Sequence, residues 1–342
     1  MSGALVSGPT QVLRRERPLV VIASPALAAA NNGNWQTASR WARMLASDYR
    51  VRLVPAWQGE DCAALIALHA RRSAPSVAAF ARAHPARPCL VVLTGTDLYR
   101  DIHSDAAAQQ SLALATQLVT LQDQAPDELP ALLRRKCHVI YQSARRLVPA
   151  ARPPGGLRVL RVLQVGHLRD EKDPLTYLRA AERLAARVDI RFGLIGDGLD
   201  AALAGAARRV QAASPRFHWL GALPHAPTRQ RIKHAQLLVN SSRMEGGAHV
   251  VLEAAQSGTA VLASRIPGNV GMLGSAHEGY FEVGDDAALA ALIARARDEP
   301  GFLSRLQAQG AARAPLFDPA EERRRLLHLL HLALESPRHE CA

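Results

Sequence analysis

Short apolar runs alternate with amphipathic segments along the chain from residue 18 onward. Most runs are too short for a helix and consist largely of Val, Ile, Leu and Ala, which is typical of strands buried on both faces of a parallel sheet. The segments between them carry apolar residues at three- and four-residue spacing, which predicts amphipathic helices. Strands and helices in this alternation predict an α/β fold with doubly wound parallel sheets.

A linker divides the alternation into two sets. Residues 149–156 are rich in Pro and Gly, which is typical of a domain boundary. The strands expected before it are 19–23, 51–54, 63–69, 89–93, 118–121 and 139–141. Those expected after it are 160–165, 190–195, 217–220, 237–240 and 261–263. Ligands bind outside the carboxyl ends of such strands, so a cleft between two Rossmann-like halves is expected.

This division predicts four parts of the chain. We expect a loose leader at residues 1–17, an N-terminal Rossmann-like domain at 18–150 and a C-terminal one at 151–316. The last part, 317–342, is expected to form a helix that packs back on the N-terminal domain. Hydrophobic residues make up 48% of the chain, which is enough to bury a core in each domain.

The net charge of +12 changes this picture little. Arginine is spread over many predicted helices, and aromatic residues are only 4% of the chain. The sequence shows no nucleic-acid motif, so solvated helix faces are the preferred interpretation and polyanion binding is the alternative.

No apolar run approaches the roughly 20 residues of a membrane span, so no stable membrane insertion is expected. The four cysteines lack C-x-x-C and zinc-ligand spacing, which favours a reducing, cytoplasmic location.

Two glutamates mark the most informative segment. Glu245 follows a predicted strand, Gly246 and Gly247 come next, and a helix is expected to begin near Ala248. Backbone N–H groups at a glycine-rich helix start lack intrahelical partners and attract anions. Glu253 lies in that helix and can accept from the hydroxyls of a ribose, while Glu245 can accept from a second sugar. A capping Glu245 and a solvated Glu253 are the structural alternative.

A second, cationic segment runs from a strand into a helix start at residues 165–174. Lys172 and Arg169 in this segment can neutralise a leaving diphosphate in a site that excludes water. Ion pairs within the first turn of the helix are the alternative interpretation.

These segments resemble the retaining glycosyltransferase family 4, which has the GT-B fold. Glu245 and Glu253, with seven residues between them, are similar to the family's E-x7-E signature. Residues 166–173 resemble its G-R-L-x-x-x-K-G element, and 193–198 resemble its glycine-rich strand end. The three elements follow one another in the order of the family.

The resemblance implies roles for residues of this chain. Glu253 would bind the ribose, Glu245 the donor sugar and Lys172 the diphosphate. The other donor-binding positions are Gly246, Gly247, Ala248, His249, His167 and Gly196. His167 stands where the family has Arg, and Arg169 is the candidate that supplies this charge. The alternative for His249 is a purely structural contact with Glu245.

The N-terminal half narrows the resemblance. Residues 31–38, 67–74, 93–101, 244–249 and 267–273 are together similar to the selenosugar synthases of selenoneine biosynthesis. Those enzymes join selenophosphate to the sugar of a UDP-sugar and form a carbon–selenium bond. The resemblance implies UDP-GlcNAc or UDP-glucose as donor, selenophosphate as acceptor, no further cofactor, and enzymes of the same pathway as candidate partners.

A small, charged acceptor needs cationic and polar groups on the N-terminal side of the cleft. The loops after the predicted strands offer them, and the expected acceptor-binding residues are Gly33, Asn34, His69, Arg71, Arg72, Thr94, Gly95, Thr96 and Asp97. Exposed helix-start charges and capped turns are the alternative. The sequence has no D-x-D pair to hold a metal, so metal-independent chemistry is expected.

Three other functions compete with this interpretation. An ordinary family 4 enzyme would move a hexose to a sugar or lipid hydroxyl, and would need a wider acceptor cleft or an apolar, basic membrane face. A nicotinamide oxidoreductase would need G-x-G-x-x-G after a first strand, whereas residues 193–198 have their glycines in a different order. A non-catalytic polyanion-binding protein would show no specific response to UDP.

Overall fold

Two six-stranded parallel sheets form the frame of the molecule. The structure is a computed structural model that describes residues 16–25, 33–150 and 159–335. Each sheet comes from one half of the chain, which confirms the predicted α/β fold with two doubly wound halves. Among the helices of these ranges, none is long and apolar enough to cross a membrane.

The N-terminal half forms the first sheet. Its strands are β1 (Leu19–Ala23), β2 (Arg50–Val54), β3 (Ala64–Leu68), β4 (Cys89–Val92), β5 (Gln117–Thr120) and β6 (Cys137–Val139). Its helices are α1 (Gly33–Leu45), α2 (Ala74–Ala83), α3 (Ile102–Ser104), α4 (Ala106–Leu114) and α5 (Ala131–Arg134), with a π-helical turn at Asp97–Asp101 and a 3-10 turn at Ala125–Glu128. The strand order is β2-β1-β3-β4-β5-β6, and every neighbouring pair is parallel.

The C-terminal half forms the second sheet. Its strands are β7 (Leu160–Val165), β8 (Ile190–Ile195), β9 (Phe217–Trp219), β10 (Leu237–Asn240), β11 (Ala260–Ser264) and β12 (Tyr280–Phe281). The helices are α6 (Pro174–Arg183), α7 (Ala201–Ala213), α8 (His225–His234), α9 (His249–Ala255), α10 (Pro267–Leu273), α11 (Asp286–Asp298), α12 (Pro300–Arg313) and α13 (Pro319–Glu335), with 3-10 turns at Asp170–Lys172 and Ala314–Phe317. The strand order β12-β11-β10-β7-β8-β9 is again parallel throughout.

The apolar runs become central strands because helices cover both faces of each sheet. β3 is buried along its whole length, and its side chains divide between two apolar cores. Leu65 lies in one core with Phe80 of α2, and Ile66 lies in the other with Trp41 of α1. A strand between two such cores needs a continuous rather than an alternating apolar pattern.

The last helix lies on the N-terminal half. Leu326, Leu329 and Leu330 of α13 are buried in the same core as Trp41 of α1 and Ile66 of β3. The end of the described chain is therefore attached to the first sheet, although it follows the second sheet in sequence.

The structure differs from the predicted elements at several places. The strand expected at 63–69 ends at Leu68, because His69 has a left-handed backbone with a φ of 72°. The strand expected at 139–141 lies at Cys137–Val139. Helix α10 was not predicted, since its proline and two glycines disguise the helical spacing.

The segment 31–34, which contains the expected acceptor residues Gly33 and Asn34, lies only partly within the structure. Asn31 and Asn32 fall outside the described residues, as does most of the expected leader. Gly33 and Asn34 are the first residues of α1.

Replacing Leu330 by Ala is expected to lower the free energy of unfolding by about 2–5 kcal/mol, because it leaves a cavity in a closed core. Chemical denaturation monitored by near-UV circular dichroism measures this loss. The matched control is Leu332→Ala on the same helix, where the side chain is 41% exposed and the expected change is below about 0.5 kcal/mol. Equal effects of the two substitutions would contradict the packing of α13.

Candidate active site

A cavity of about 260 Å³ opens between the two halves. The ends of β7 and β8 border it on one side, and the loop after β4 borders it on the other. In the second sheet the strand order reverses between β7 and β10, and ligands bind at such switch points. The loops that follow these two strands carry the predicted donor residues.

Glu245 and Lys172 form an ion pair on the cavity wall. Nζ of Lys172 lies 2.5 Å from Oε1 of Glu245, and the hydroxyl of Ser242 donates to the same oxygen at 2.6 Å. Lys172 precedes α6 and Glu245 precedes α9, so the fold brings together two elements that are far apart in sequence. A diphosphate bound here would share the ammonium group with Glu245.

Glu253 is a buried carboxylate surrounded by cationic and imidazole groups. Its Oε1 lies 2.6 Å from Nε2 of His225, 3.3 Å from Nδ1 of His249 and 3.6 Å from Nε of Arg229. Burial acts to raise the pKa of Glu253, but hydrogen bonds from His225 and His249 outweigh it and lower the pKa to about 2. Glu253 is therefore ionised at neutral pH and accepts hydrogen bonds only.

The contact of His249 with Glu253 corrects the structural alternative, in which Glu245 was the partner. His225, His249 and Glu253 also form a cluster whose ligand atoms lie within 4.8 Å of one another, close enough for a metal ion. Nη1 of Arg40 lies 3.0 Å from Nε2 of His249. Arginine only donates, so Nε2 accepts and the proton of neutral His249 is on Nδ1, the nitrogen next to Glu253. The absence of a metal cofactor stays a prediction.

Gly196 is required where β8 ends. Its φ is +151°, and an added Cβ would lie 1.9 Å from the carbonyl oxygen of Gly166. Any other residue would therefore push apart the loops that follow β7 and β8. Both glycines lie on the cavity wall, so the loops form a smooth surface for a ligand.

The glycines before α9 bring the two halves into contact. An added Cβ on Gly246 would lie 2.4 Å from the carbonyl atoms of Thr94, and one on Gly247 would lie 2.8 Å from Cβ of Leu121. Gly247 lines the cavity, whereas Gly246 and Ala248 do not. The predicted phosphate cradle thus corresponds in part to an interface between the halves.

His167 and Arg169 both line the cavity. The backbone N–H of Asp197 donates to Nδ1 of His167 at 3.0 Å, which leaves Nε2 as the protonated nitrogen of the neutral ring. Burial and the neighbouring Arg169 lower the pKa of His167, so the ring supplies a hydrogen bond rather than a full charge. The guanidinium of Arg169 pairs only loosely with Glu171, at 3.9 Å, and remains available to an anion.

The N-terminal half contributes four of the predicted acceptor residues to the cavity wall. These residues are Gly33, Asn34, Arg72 and Thr94. Arg72 is the only cation of this half that lines the described cavity, and the lining from this half contains no acidic residue.

Five predicted acceptor residues lie elsewhere. Asp97 is fully buried, and its carboxylate accepts from the backbone N–H groups of Ala70, Thr94 and Gly95. Its role is to hold the loop after β4. Its position after a strand end predicted that this carboxylate binds the acceptor, but its oxygens accept hydrogen bonds from the backbone instead.

His69, Thr96 and Arg71 also lie outside the cavity lining and have partners within the protein. Nε2 of buried His69 lies 3.0 Å from the hydroxyl of Thr96, and burial lowers the pKa of the ring. Arg71 is directed to Asp105, with Nε 2.9 Å from the carboxylate. Gly95 has a φ of +140° and lies against Gly246, away from the cavity lining.

The sequence did not predict several residues of the wall. They are Gln36, Thr37, Leu121, Gln142, Ala222, Leu223, His225, Thr228 and Val250, besides strand-end residues. Gln142 donates to the hydroxyl of Thr37, and its buried Oε1 accepts no hydrogen bond from the described residues. It is therefore available to a ligand donor, such as a hydroxyl group. Only the position of Gln142 just after β6 could have pointed to it.

The C-terminal half matches a known family. Residues 157–313 match the family model described as Glycosyl transferases group 1. The curated proteins include no match to this chain.

Solved structures are similar to the chain in fold. Sucrose-phosphate synthase from Thermosynechococcus elongatus has a TM-score of 0.72 at 17% identity, over 93% of this chain and 99% of its own. Anabaena HepE in complex with UDP and glucose has a TM-score of 0.72 at 15% identity, over 92% and 100%. S. aureus TarM has a TM-score of 0.63 at 13% identity over 80% of this chain, which spans 55% of the length of TarM. These likenesses confirm the GT-B fold.

Replacing Gly246 by Ala is expected to separate the halves at their closest contact, because the new Cβ would overlap the carbonyl of Thr94. The expected loss of stability is about 1–3 kcal/mol, with a larger radius of gyration in X-ray scattering. The control is Gly205→Ala in α7, where the added Cβ meets only the guanidinium of Arg209 at 3.6 Å. This variant should gain about 0.5–1 kcal/mol and keep the native radius, and a similar gain in Gly246→Ala would disprove the contact.

Proposed function

We propose that the protein is a glycosyltransferase that transfers the sugar of UDP-GlcNAc or UDP-glucose to selenophosphate. The product is a 1-seleno-sugar for selenoneine biosynthesis, and UDP and phosphate are released. The observation that carries the proposal is a cleft with two opposed walls. One wall has two carboxylates and a lysine for a nucleotide sugar, and the other has a cation without a carboxylate.

The donor wall suits a molecule with a hydroxylated ring at each end of a diphosphate. Ionised Glu253 can accept from the ribose, and Glu245 can accept from the sugar. Lys172, Arg169 and neutral His167 lie on the same wall and can donate to the diphosphate between them. Anabaena HepE, which has the same fold, was solved in complex with UDP and glucose.

The acceptor wall suits a small anion that is already nucleophilic. A hydroxyl acceptor must lose a proton as it attacks, whereas the selenium of selenophosphate carries negative charge beforehand. Arg72 can hold the phosphate part of the acceptor, and Asn34 and Thr94, which line the same cavity, can donate hydrogen bonds. Within the described lining, this half supplies neither a carboxylate nor a histidine as a base.

The reaction then follows from charge stabilisation. The bond between C1 of the sugar and the diphosphate oxygen breaks, and its electron pair leaves with UDP toward Lys172 and Arg169. Selenium donates an electron pair to C1 and forms the C–Se bond. Water then cleaves the Se–P bond, which releases phosphate and leaves the selenosugar. The cationic side chains neutralise the charge of the leaving diphosphate, so the proposed reaction requires no metal cofactor. We propose that the protein acts in the cytoplasm.

Incubation of the protein with selenophosphate and UDP-GlcNAc or UDP-glucose is expected to give a selenium-bearing sugar. Mass spectrometry detects it by the selenium isotope pattern, and the same yield is expected in EDTA. A sugar transferred to a hydroxyl acceptor without any selenosugar would instead identify an ordinary family 4 enzyme. Complete loss of activity in EDTA would refute the metal-independent mechanism.

Replacing Arg72 by Ala is expected to lower kcat/KM for selenophosphate by about 10- to 100-fold, because it removes the charge-assisted hydrogen bonds to the acceptor. The KM for the UDP-sugar should change little. The matched control is Arg71→Ala, which removes the adjacent guanidinium that pairs with Asp105 outside the cavity. If the two variants reduce selenophosphate use equally, Arg72 does not bind the acceptor.

A further inference from the structure

A buried polar cluster joins both ends of the fold beneath the donor site. Its centre is Glu322 of α13, whose side chain is fully buried. Arg40 of α1 donates to both oxygens of this carboxylate, at 2.8 and 3.0 Å. Trp41 donates at 2.7 Å, and the hydroxyl of Ser143 donates at 2.5 Å. Four donors satisfy the buried charge and fix the guanidinium of Arg40 in one orientation.

The remaining amino group of Arg40 reaches across to the C-terminal half. Nη1 lies 3.0 Å from Nε2 of His249, a residue in the first turn of α9. Because a guanidinium only donates, this contact requires an unprotonated Nε2 and places the proton of neutral His249 on Nδ1. Nδ1 lies 3.3 Å from Oε1 of Glu253, so the imidazole donates to the carboxylate.

We propose that Arg40 is a positioning residue for donor binding: through His249 it orients Glu253 toward the ribose hydroxyls, and it does so only while the two halves are in contact. This inference rests on the proposed function, since it assigns Glu253 to the ribose. Arg40 lies on α1 and His249 on α9, so the hydrogen bond between them breaks when the halves separate. His249 is then free to adopt the other tautomer, in which Nδ1 no longer donates to Glu253.

A purely structural role for Arg40 would have a different signature. If Arg40 served only to satisfy Glu322, its loss would weaken every ligand of the cleft in the same proportion. If it acts through His249 and Glu253, its loss weakens only ligands that offer ribose hydroxyls. The comparison of UDP with 2′,3′-dideoxy-UDP therefore separates the two roles.

The test variant is the double substitution Arg40→Met with Glu322→Gln, which removes the relay without leaving a buried carboxylate unpaired. Wild-type protein is expected to bind UDP about 10- to 100-fold more tightly than 2′,3′-dideoxy-UDP, as hydrogen bonds to a charged group imply. In the double variant this preference should fall below about 3-fold, while the affinity for the dideoxy ligand is unchanged. Isothermal titration calorimetry measures both affinities.

Two controls complete the experiment. Arg43→Met removes an exposed arginine of the same helix and should keep the wild-type preference. In nitrogen-15 NMR, His249 should carry its proton on Nδ1 in the wild type and lose this bias in the double variant, which is visible without any ligand.

Each outcome has one meaning. An unchanged UDP preference in the double variant, or a parallel loss for both ligands, overturns the role of Arg40 and leaves the donor site intact. A wild-type protein that binds neither ligand overturns the proposed function. A protonated Nε2 in wild-type His249 overturns the relay directly.

Discussion

The close contact between the loop ahead of α9 and the N-terminal half fixes the shape of the cleft. Gly246 lies against the carbonyl of Thr94 and Gly247 lies against Leu121, with no room for a side chain. Glu245 precedes these glycines and Glu253 follows them on α9, so the contact positions both carboxylates. It also holds the N-terminal wall of the cavity at a defined distance from the C-terminal wall, as the proposed orientation of two reactants requires.

Glu245 and Glu253, the carboxylates proposed to bind the donor, have hydrogen-bond partners before any ligand binds. Glu245 accepts from Lys172 and Ser242, and Glu253 lies within reach of His225 and His249. A nucleotide sugar would therefore replace hydrogen bonds that these carboxylates already make within the protein. The net gain in free energy from each replacement is about 1 kcal/mol. Selectivity in such a site depends on how well the partners fix the direction of each carboxylate. The contacts behind the cavity wall, which fix the direction of each carboxylate, therefore also influence the selectivity of the site.

The sequence predicted the site residues that are marked by their spacing along the chain. It missed those whose contacts form only when remote segments fold together. The glutamate spacing and the strand-to-helix segments located Glu245, Glu253 and Lys172 because each follows or starts a regular element. Asp97 had the same signature, yet its carboxylate is used by three backbone N–H groups. Arg40 and His225 had no signature at all, since the groups that they contact are remote in sequence. The direction that a side chain takes after a strand end depends on single backbone angles, such as the φ of His69. The spacing of apolar residues carries no information about these angles.

The buried cluster around Glu322 ties α1, α13 and Ser143 together. Separating a fully buried carboxylate from its four donors is costly, so α1, α13 and Ser143 have to move together. The contacts between this unit and α9 include one hydrogen bond from Arg40 to a neutral imidazole. Opening at that bond would release the orientation of Glu253 at the same moment as it admits water. An opening step of this kind suits the proposed reaction, because water must be excluded while the C–Se bond forms and is needed afterwards to cleave the Se–P bond.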